Sequence, residues 1–412
     1  MPGRRSSPSL GRPGGSRTWS TSTASGRCDC DRSRPTSGRG PSEPVPGDHA
    51  GSAARRPSSI GARPDGGWNI VEFRAVSDDS DEVLVAVEGS LGRLRLNRPR
   101  AINALTPGMI GTLTTLLEGW AVDERITAVA LDGAGERGLC SGADVRAIRA
   151  GLLDGTGDAT GFFRAEYALN ALISGYPKPY VALMDGIVMG GGIGLSAHGS
   201  LRLVTERTRI AMPETGIGLF PDVGAMFFLS RAPGELGTHL ALTGSQASGA
   251  DAIAVRFADT LVDSGSWPAI VARLASGEAL DPSVGRTAPA AALPAERGWI
   301  DRCYAGDDPV AILDALRRAP EPAAREAGTV LAARSPLSVA VTLAAIRRAA
   351  GLGSVPEVLA QDLRIATALM ATPDFAEGVR AVLVDKDHQP RWQHASLTEV
   401  GRAEVLAMFA GA

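Results

Sequence analysis

Lysine is almost missing from this 412-residue chain: Lys178 and Lys386 stand against 40 arginines. With abundant alanine and glycine, that bias fits a bacterial genome rich in G and C. Cysteine is scarce as well. Cys28, Cys30, Cys140 and Cys303 form neither a disulfide framework nor a paired zinc pattern, so a cytoplasmic protein is expected. The five histidines, at 49, 198, 239, 388 and 394, have no metal-ligand spacing, and no metal is expected. Aromatics make up 5% of the chain and no basic stripe interleaves with them, which argues against nucleic acid as a partner. Long apolar runs are lacking too. The most membrane-like window, 180–197, is interrupted by Asp185 and dense in glycine, so no transmembrane segment is expected. No apolar stretch follows the early arginines as a secretory signal would require.

Residues 1–67 hold 12 Gly, 9 Pro and 13 Ser but only Leu10, Val45 and Ile60 among Leu, Val, Ile and Phe. They bury too little apolar surface to offset the entropy of ordering, so a disordered basic tail is expected there, with the functional protein starting near Trp68. The tail carries 11 Arg against 5 acids, a net +6; because the whole chain is −3, the other 345 residues stand at −9.

From 68 to 275 the pattern reads as an α/β core. Short strands are predicted at 83–87, 92–96, 126–131, 180–184 and 201–204. Thr106-Pro107 opens a helix whose apolar residues Met109, Ile110, Leu113, Leu116, Leu117 and Trp120 recur at helical spacing. Further helices are predicted from Asp144 and over 161–174, and strands alternating with helices argue for parallel pairing. Residues 276–298 are Ala-, Pro- and Gly-rich and read as a linker. Helices are predicted at 308–318, 323–333, 336–349, 356–370 and 373–383, making 299–412 a helical section.

Two glycine turns each follow an apolar strand and open a helix: Leu139-Cys-Ser-Gly-Ala-Asp144 and Met189-Gly-Gly-Gly-Ile-Gly-Leu195. Their free amides and helix termini suit an anion or a developing oxyanion; plain chain reversal is the alternative for either alone. Gly192-Ile-Gly-Leu-Ser-Ala197 also fits a dinucleotide fingerprint, but it lies deep inside the folded region. Cys140 has no histidine nearby in sequence and reads as a small buried residue. The segment Ala211-Met-Pro-Glu-Thr-Gly-Ile-Gly-Leu-Phe-Pro-Asp-Val-Gly224 sets Glu214 and Asp222 in apolar surroundings, where burial raises a carboxyl pKa toward general acid or base work. Alternatively, Asp222 caps the following helix and Glu214 is a loop charge.

Together these segments resemble the crotonase, or enoyl-CoA hydratase/isomerase, superfamily. The likeness runs from about Gly89 to Val400, beginning with Leu96-Asn-Arg-Pro-Arg-Ala-Ile-Asn-Ala-Leu105. Within it, Phe162-Phe-Arg-Ala-Glu-Tyr167, Met212-Pro-Glu-Thr215, Gly218-Leu-Phe-Pro-Asp-Val-Gly224 and Asp385-Lys-Asp387 are most similar to the branch that hydrolyses 3-hydroxyisobutyryl-CoA, a step of valine breakdown. The resemblance implies a ββα-spiral core, with the helical section completing an acyl-CoA site. It implies Glu214 and Asp222 as catalytic residues and the backbone N–H groups of Ser141 and Gly191 as the oxyanion hole. Glu166, Gly190 and Gly192 are implied to bind substrate, and Arg98 or Arg100 to contact CoA phosphates, with a structural ion pair as the alternative. For Glu166 the alternative is an exposed helix charge. No cofactor is implied beyond the CoA of the substrate, and a homo-oligomer is left open. The hydratases of the superfamily use two glutamates, and the place of the first is Gly194 here, which points away from water addition. An enoyl-CoA isomerase using Glu214 alone and a non-catalytic acyl-CoA-binding protein are the competing readings.

Overall fold

A computed structural model describes residues 72–77 and 80–410. The tail expected over 1–67, with Cys28 and Cys30, lies outside the described residues. Strands β1 (Arg74–Ser77), β2 (Ser80–Glu88) and β3 (Leu91–Leu96) form an antiparallel meander. Helix α1 (Pro107–Val122) follows, its first turn capped by Thr106 Oγ1, which accepts from the Met109 amide at 3.1 Å. Next come β4 (Ala128–Gly133), α2 (Val145–Asp154), α3 (Ala159–Ser174), β5 (Tyr180–Met184) and β6 (Ile187–Met189). Helix α4 (Gly191–Ser196), β7 (Leu201–Val204), β8 (Arg209–Ala211), α5 (Ala225–Leu229), α6 (Leu236–Thr243), β9 (Ala247–Ser248), α7 (Gly249–Ala254), β10 (Thr260–Leu261) and α8 (Trp267–Ala275) complete the core.

The chain climbs through two sheets at once. One has the order β1-β2-β3-β4-β5-β7-β10, parallel from β3 onward; the other has the order β6-β8-β9. Each turn leaves a strand of the first sheet, contributes a strand to the second and returns through a helix: β5 runs into β6 and α4, and β7 into β8. Residues 138–140 take the same step, bridging Gly138 to Gly186 and Cys140 to Val188. This is the expected ββα spiral. One face of the large sheet is covered by α8, whose Trp267, Ile270, Val271 and Leu274 pack on Leu91, Ala130, Val181 and Leu203. That spacing of three, four and seven residues is one face of a helix.

Residues 276–296 hold a 3-10 turn (Pro282–Val284) and α9 (Ala292–Ala295). They are fastened along their length: the Arg286 amide donates to Leu261 O at 2.8 Å and the Leu293 amide to Asp251 Oδ1 at 2.8 Å. Beyond them lie α10 (Arg297–Cys303), α11 (Pro309–Arg318), α12 (Pro322–Ala332), α13 (Pro336–Ala349), α14 (Val355–Met370), α15 (Pro373–Val379) and α16 (Arg402–Ala407). Proline stands near the start of α11, α12, α13, α14 and α15, where its missing N–H costs nothing. The helix expected to run to 383 stops at Val379 and widens into a π-turn over Arg380–Val384. Both sections share one apolar core, in which Phe220 and Met226 pack in the same cluster as Leu337, Leu359 and Phe375. No single helix among the described residues is long and apolar enough to cross a membrane.

Candidate active site

The spiral brings both glycine turns to one cavity of about 730 Å³. Its walls include Ser141 to Arg146, Glu166, Gly190, Gly191, Glu214, Asp222 and Arg334. The turns touch: a Cβ placed on Gly191 falls 3.5 Å from the Ala143 nitrogen, and one on Gly142 falls 3.5 Å from the Gly191 nitrogen. The Gly191 N–H opens α4 and has no acceptor among the described residues. The same holds for the Ala143 N–H. The Ser141 amide, expected as the second donor, is spent on Ile102 O at 2.9 Å, and its hydroxyl donates to Ala101 O at 3.1 Å. The facing pair is therefore Ala143 and Gly191. Nothing in the local sequence distinguishes the two amides; the choice is made across the chain, where the end of the 3-10 turn Pro99–Ala101 offers the Ile102 carbonyl to Ser141 and no carbonyl among the described residues accepts from Ala143. Gly190 lines the cavity with φ +48°, a conformation glycine adopts without strain, and a Cβ there would stand 2.9 Å from Glu214 Oε1. Gly192, expected to bind substrate, lies behind the wall: a Cβ on it would meet Cys140 O at 2.6 Å. Its role is close packing of α4 on the first glycine turn.

Three carboxyls converge. Glu214 opens a 3-10 turn (Glu214–Ile217) and is 7% exposed; Asp222 is 5% exposed and Glu166 1%. The bland alternatives therefore fail. Glu166 is no exposed helix charge, and Asp222 does not cap α5 with its side chain, since only its backbone carbonyl accepts, from the Ala225 amide at 2.9 Å. Asp222 Oδ2 accepts instead from the Tyr167 hydroxyl at 2.5 Å. Glu166 and Tyr167 sit on the buried face of α3, which points both at the site. Glu214 Oε2 and Glu166 Oε1 are buried with no hydrogen-bond partner among the described residues.

Burial is the main cause of the site's electrostatics. It pushes the Glu214 carboxyl well above the ordinary range, and the negative charge of Asp222 and then Glu166 pushes the same way. Glu166 is raised by burial and by Asp222. Asp222 rises to about 6, through burial, opposed by the Tyr167 hydroxyl, which favours the ionised form. Like charges this close do not all ionise together, so the group titrates as a unit. Cys140 is buried and its thiol is pushed up to about 12 by burial, which removes it as a nucleophile at neutral pH.

The two arginines expected at CoA separate. Arg98 reaches the cavity wall, but its guanidinium bonds Glu82 at 3.0 Å, Asp144 at 3.0 Å and Ala104 O at 2.5 Å. It is a structural tie. Arg100 and Arg146, the second residue of α2, are both exposed and line the same cavity; neither pairs with an acid among the described residues. The sequence reading missed Arg146, whose signal is a cation two residues past the Asp144 cap. Arg380, bound to Glu377, Asp385 and Asp387, is tied up in the same way as Arg98. No group of three or more His, Cys, Asp or Glu arranged to hold a metal occurs among the described residues.

The position of the absent hydratase glutamate is closed. A Cβ on Gly194 would fall 2.8 Å from Asn170 Nδ2 and 2.8 Å from the Val223 Cβ, so the space is already filled. The helical section packs on the side of the cavity that carries Glu214. A Cβ on Gly378 in α15 would meet the Ile217 carbonyl carbon at 2.6 Å, and the Ser335 amide donates to Thr215 O at 3.1 Å, so backbone packs directly on the turn that carries Glu214.

A family model described as enoyl-CoA hydratase/isomerase matches residues 91–409. A protein of Danio rerio described as mitochondrial 3-hydroxyisobutyryl-CoA hydrolase is 40% identical over 348 residues, spanning 81% of this chain and 90% of its own. The human protein of the same description is 37% identical over 347 residues, 81% and 89% of the two chains. Among solved structures, one described as a carnitinyl-CoA dehydratase from Mycobacterium thermoresistibile superposes with a TM-score of 0.77 at 47% identity, covering 81% of this chain and 97% of that one. Another, described as an enoyl-CoA hydratase from Rhodobacter sphaeroides, gives 0.77 at 38% identity, covering 80% and 97%.

Proposed function

The chain belongs to the enoyl-CoA hydratase/isomerase family, and from that premise we propose that it is a thioesterase: it hydrolyses 3-hydroxyisobutyryl-CoA, or a similar short 3-hydroxyacyl-CoA, to the free acid and CoA. One observation carries the choice within the family. Glu214 and Asp222 share the cavity, while the place a hydratase needs for its other glutamate is Gly194, walled in by Asn170 and Val223. The relatives described as hydrolases point the same way; the two solved structures with dehydratase and hydratase descriptions support the fold and the CoA ester.

The thioester carbonyl oxygen sits between the amides of Ala143 and Gly191, which stabilise it as charge develops; each such donor is worth on the order of 10² to 10³ in rate. Glu214 brings the oxygen that attacks the carbonyl carbon, either from a water whose proton it takes or from its own carboxylate, in which case water then opens the anhydride. Both routes break the C–S bond and release the same acid and CoA. Burial raises the Glu214 carboxyl above its ordinary range, which makes its carboxylate a stronger base. Asp222, oriented by Tyr167, receives the 3-hydroxyl of the acyl chain on its other oxygen. The leaving CoA is a good thiolate, so the step calls for no metal, and Arg100 and Arg146 at the rim suit its phosphates.

The test is free thiol released from 3-hydroxyisobutyryl-CoA, measured beside hydration of crotonyl-CoA and double-bond migration. Thiol release supports the hydrolase. Migration or hydration without thiol assigns an isomerase or hydratase and overturns the proposal, as does binding without turnover, the mark of a scaffold.

A further inference from the structure

The residue aimed at the substrate hydroxyl sits on a turn that the local sequence does not favour. Asp222 to Ala225 close a tight turn, the Ala225 amide donating to Asp222 O at 2.9 Å. Both central residues are left-handed, Val223 with φ +53° and Gly224 with φ +75°. Such a type I′ turn selects Asn, Asp or Gly at both places. Glycine meets that demand at 224. At 223 a β-branched residue stands in a region it rarely enters, and strain of this kind persists only where the surroundings over-determine it.

The surroundings here are three buried clamps, one per residue. The Tyr167 hydroxyl donates to the Asp222 carboxylate at 2.5 Å. His198 Nε2 lies 2.8 Å from Val223 O; a carbonyl only accepts, so this nitrogen carries the proton. Burial pushes the His198 imidazole down to about 4, which keeps it neutral with Nδ1 bare, and the Phe228 ring packs against it at a tilt, centroids 5.4 Å apart. The third clamp comes from α14: Asp362, fully buried, accepts the Gly224 amide on Oδ2 at 2.8 Å. No room remains for slack, since a Cβ on Gly224 would meet His198 Cε1 at 2.8 Å and Leu359 Cδ2 at 3.3 Å.

We infer that His198 and Asp362 are positioning residues that hold the strained turn and so aim Asp222, making α14 of the helical section part of the specificity device rather than a cover. The inference rests on the proposed role of Asp222 toward the substrate hydroxyl.

The experiment compares kcat for thiol release from 3-hydroxyisobutyryl-CoA and from isobutyryl-CoA in the full-length protein. Asp362→Ala removes the acceptor and Asp362→Asn keeps one; His198→Asn withdraws the donor and His198→Gln keeps an N–H at similar reach. Loss of aim costs on the order of tenfold to a hundredfold, so Asp362→Ala and His198→Asn should lower the ratio of hydroxyacyl to plain acyl turnover about tenfold or more. The two conservative variants should keep it within about threefold. Asp222→Asn is run in parallel. If it changes the ratio and the two disruptive variants do not, or lower both substrates equally, the positioning inference is overturned while the role of Asp222 stands; if Asp222→Asn itself leaves the ratio alone, that role falls first. Where one disruptive variant does not fold, the other decides.

Discussion

Replacing Asp222 by Asn should make the protein more stable and less selective, and the stability gain should depend on pH. The carboxyl of Asp222 rises from an ordinary 3.8 to about 6 on folding, chiefly through burial. At 1.36 kcal/mol per pH unit, that is about 3 kcal/mol of differential free energy. The sign follows from the direction. A raised folded pKa means that the stability is present in full below 3.8 and is lost as pH rises through about 6, because above it a buried carboxylate must stay charged. Asn is neutral throughout and escapes that loss. Part of the gain is returned, since the Tyr167 hydroxyl now donates to a neutral acceptor and a charge-assisted bond is stronger by roughly 1 kcal/mol. The net expectation is about 1 to 2 kcal/mol at pH 8, or roughly 1 to 3 °C in Tm for a folded unit of this size, and no gain near pH 4. Thermal unfolding of both proteins at pH 4, 6 and 8 measures it. A Tm that falls at pH 8, or a gain equal at all three, would refute the claim that burial of this carboxyl is uncompensated.

The other expectations concern neighbouring groups. Ser141→Ala should keep kcat within about threefold, because the hydroxyl it removes serves Ala101 O, with a stability loss of about 1 kcal/mol for the missing hydrogen bond; a hundredfold fall in thiol release would place that hydroxyl in the reaction. Gly194→Glu should lower Tm by several degrees without producing crotonyl-CoA hydration, since the new side chain overlaps Asn170 and Val223. Arg100→Ala with Arg146→Ala should raise KM for CoA esters while sparing kcat, the sign of lost uniform binding, and should flatten the dependence of KM on salt; an unchanged KM assigns the phosphates elsewhere.

Much of this architecture is legible in the sequence for local reasons. Helices α11 to α15 announce themselves by proline in the first turn, and Asp308, Ser335 and Ser354 cap three of them with their side chains. The runs 180–184 and 201–204 are buried parallel strands bounded by turns. What escapes is non-local. The small sheet is built from β6, β8 and β9, two or three residues each, too short to show a period. Helix α8 does carry a helical apolar stripe, but only the sheet behind it reveals that it covers the second face. At the site, two carboxyls in apolar surroundings are readable as chemistry, whereas the choice of Ala143 over Ser141 is a matter of which backbone carbonyl lies opposite. The same holds for Arg98, which belongs to Glu82 and Asp144, residues 16 and 46 positions away along the chain. The clamp from Asp362 spans 138 positions and leaves no trace in any window.

The central claim is that Glu214 is the reacting carboxylate of a thioesterase. Thiol release from 3-hydroxyisobutyryl-CoA by the wild-type chain and by Glu214→Gln, with substrate binding measured on both, tests it most directly. The account predicts steady thiol release by the wild type, and a variant that still binds the ester but turns over at roughly one-thousandth of the rate or less. Near-normal release by Glu214→Gln, or none by a wild type that binds the ester, would contradict it.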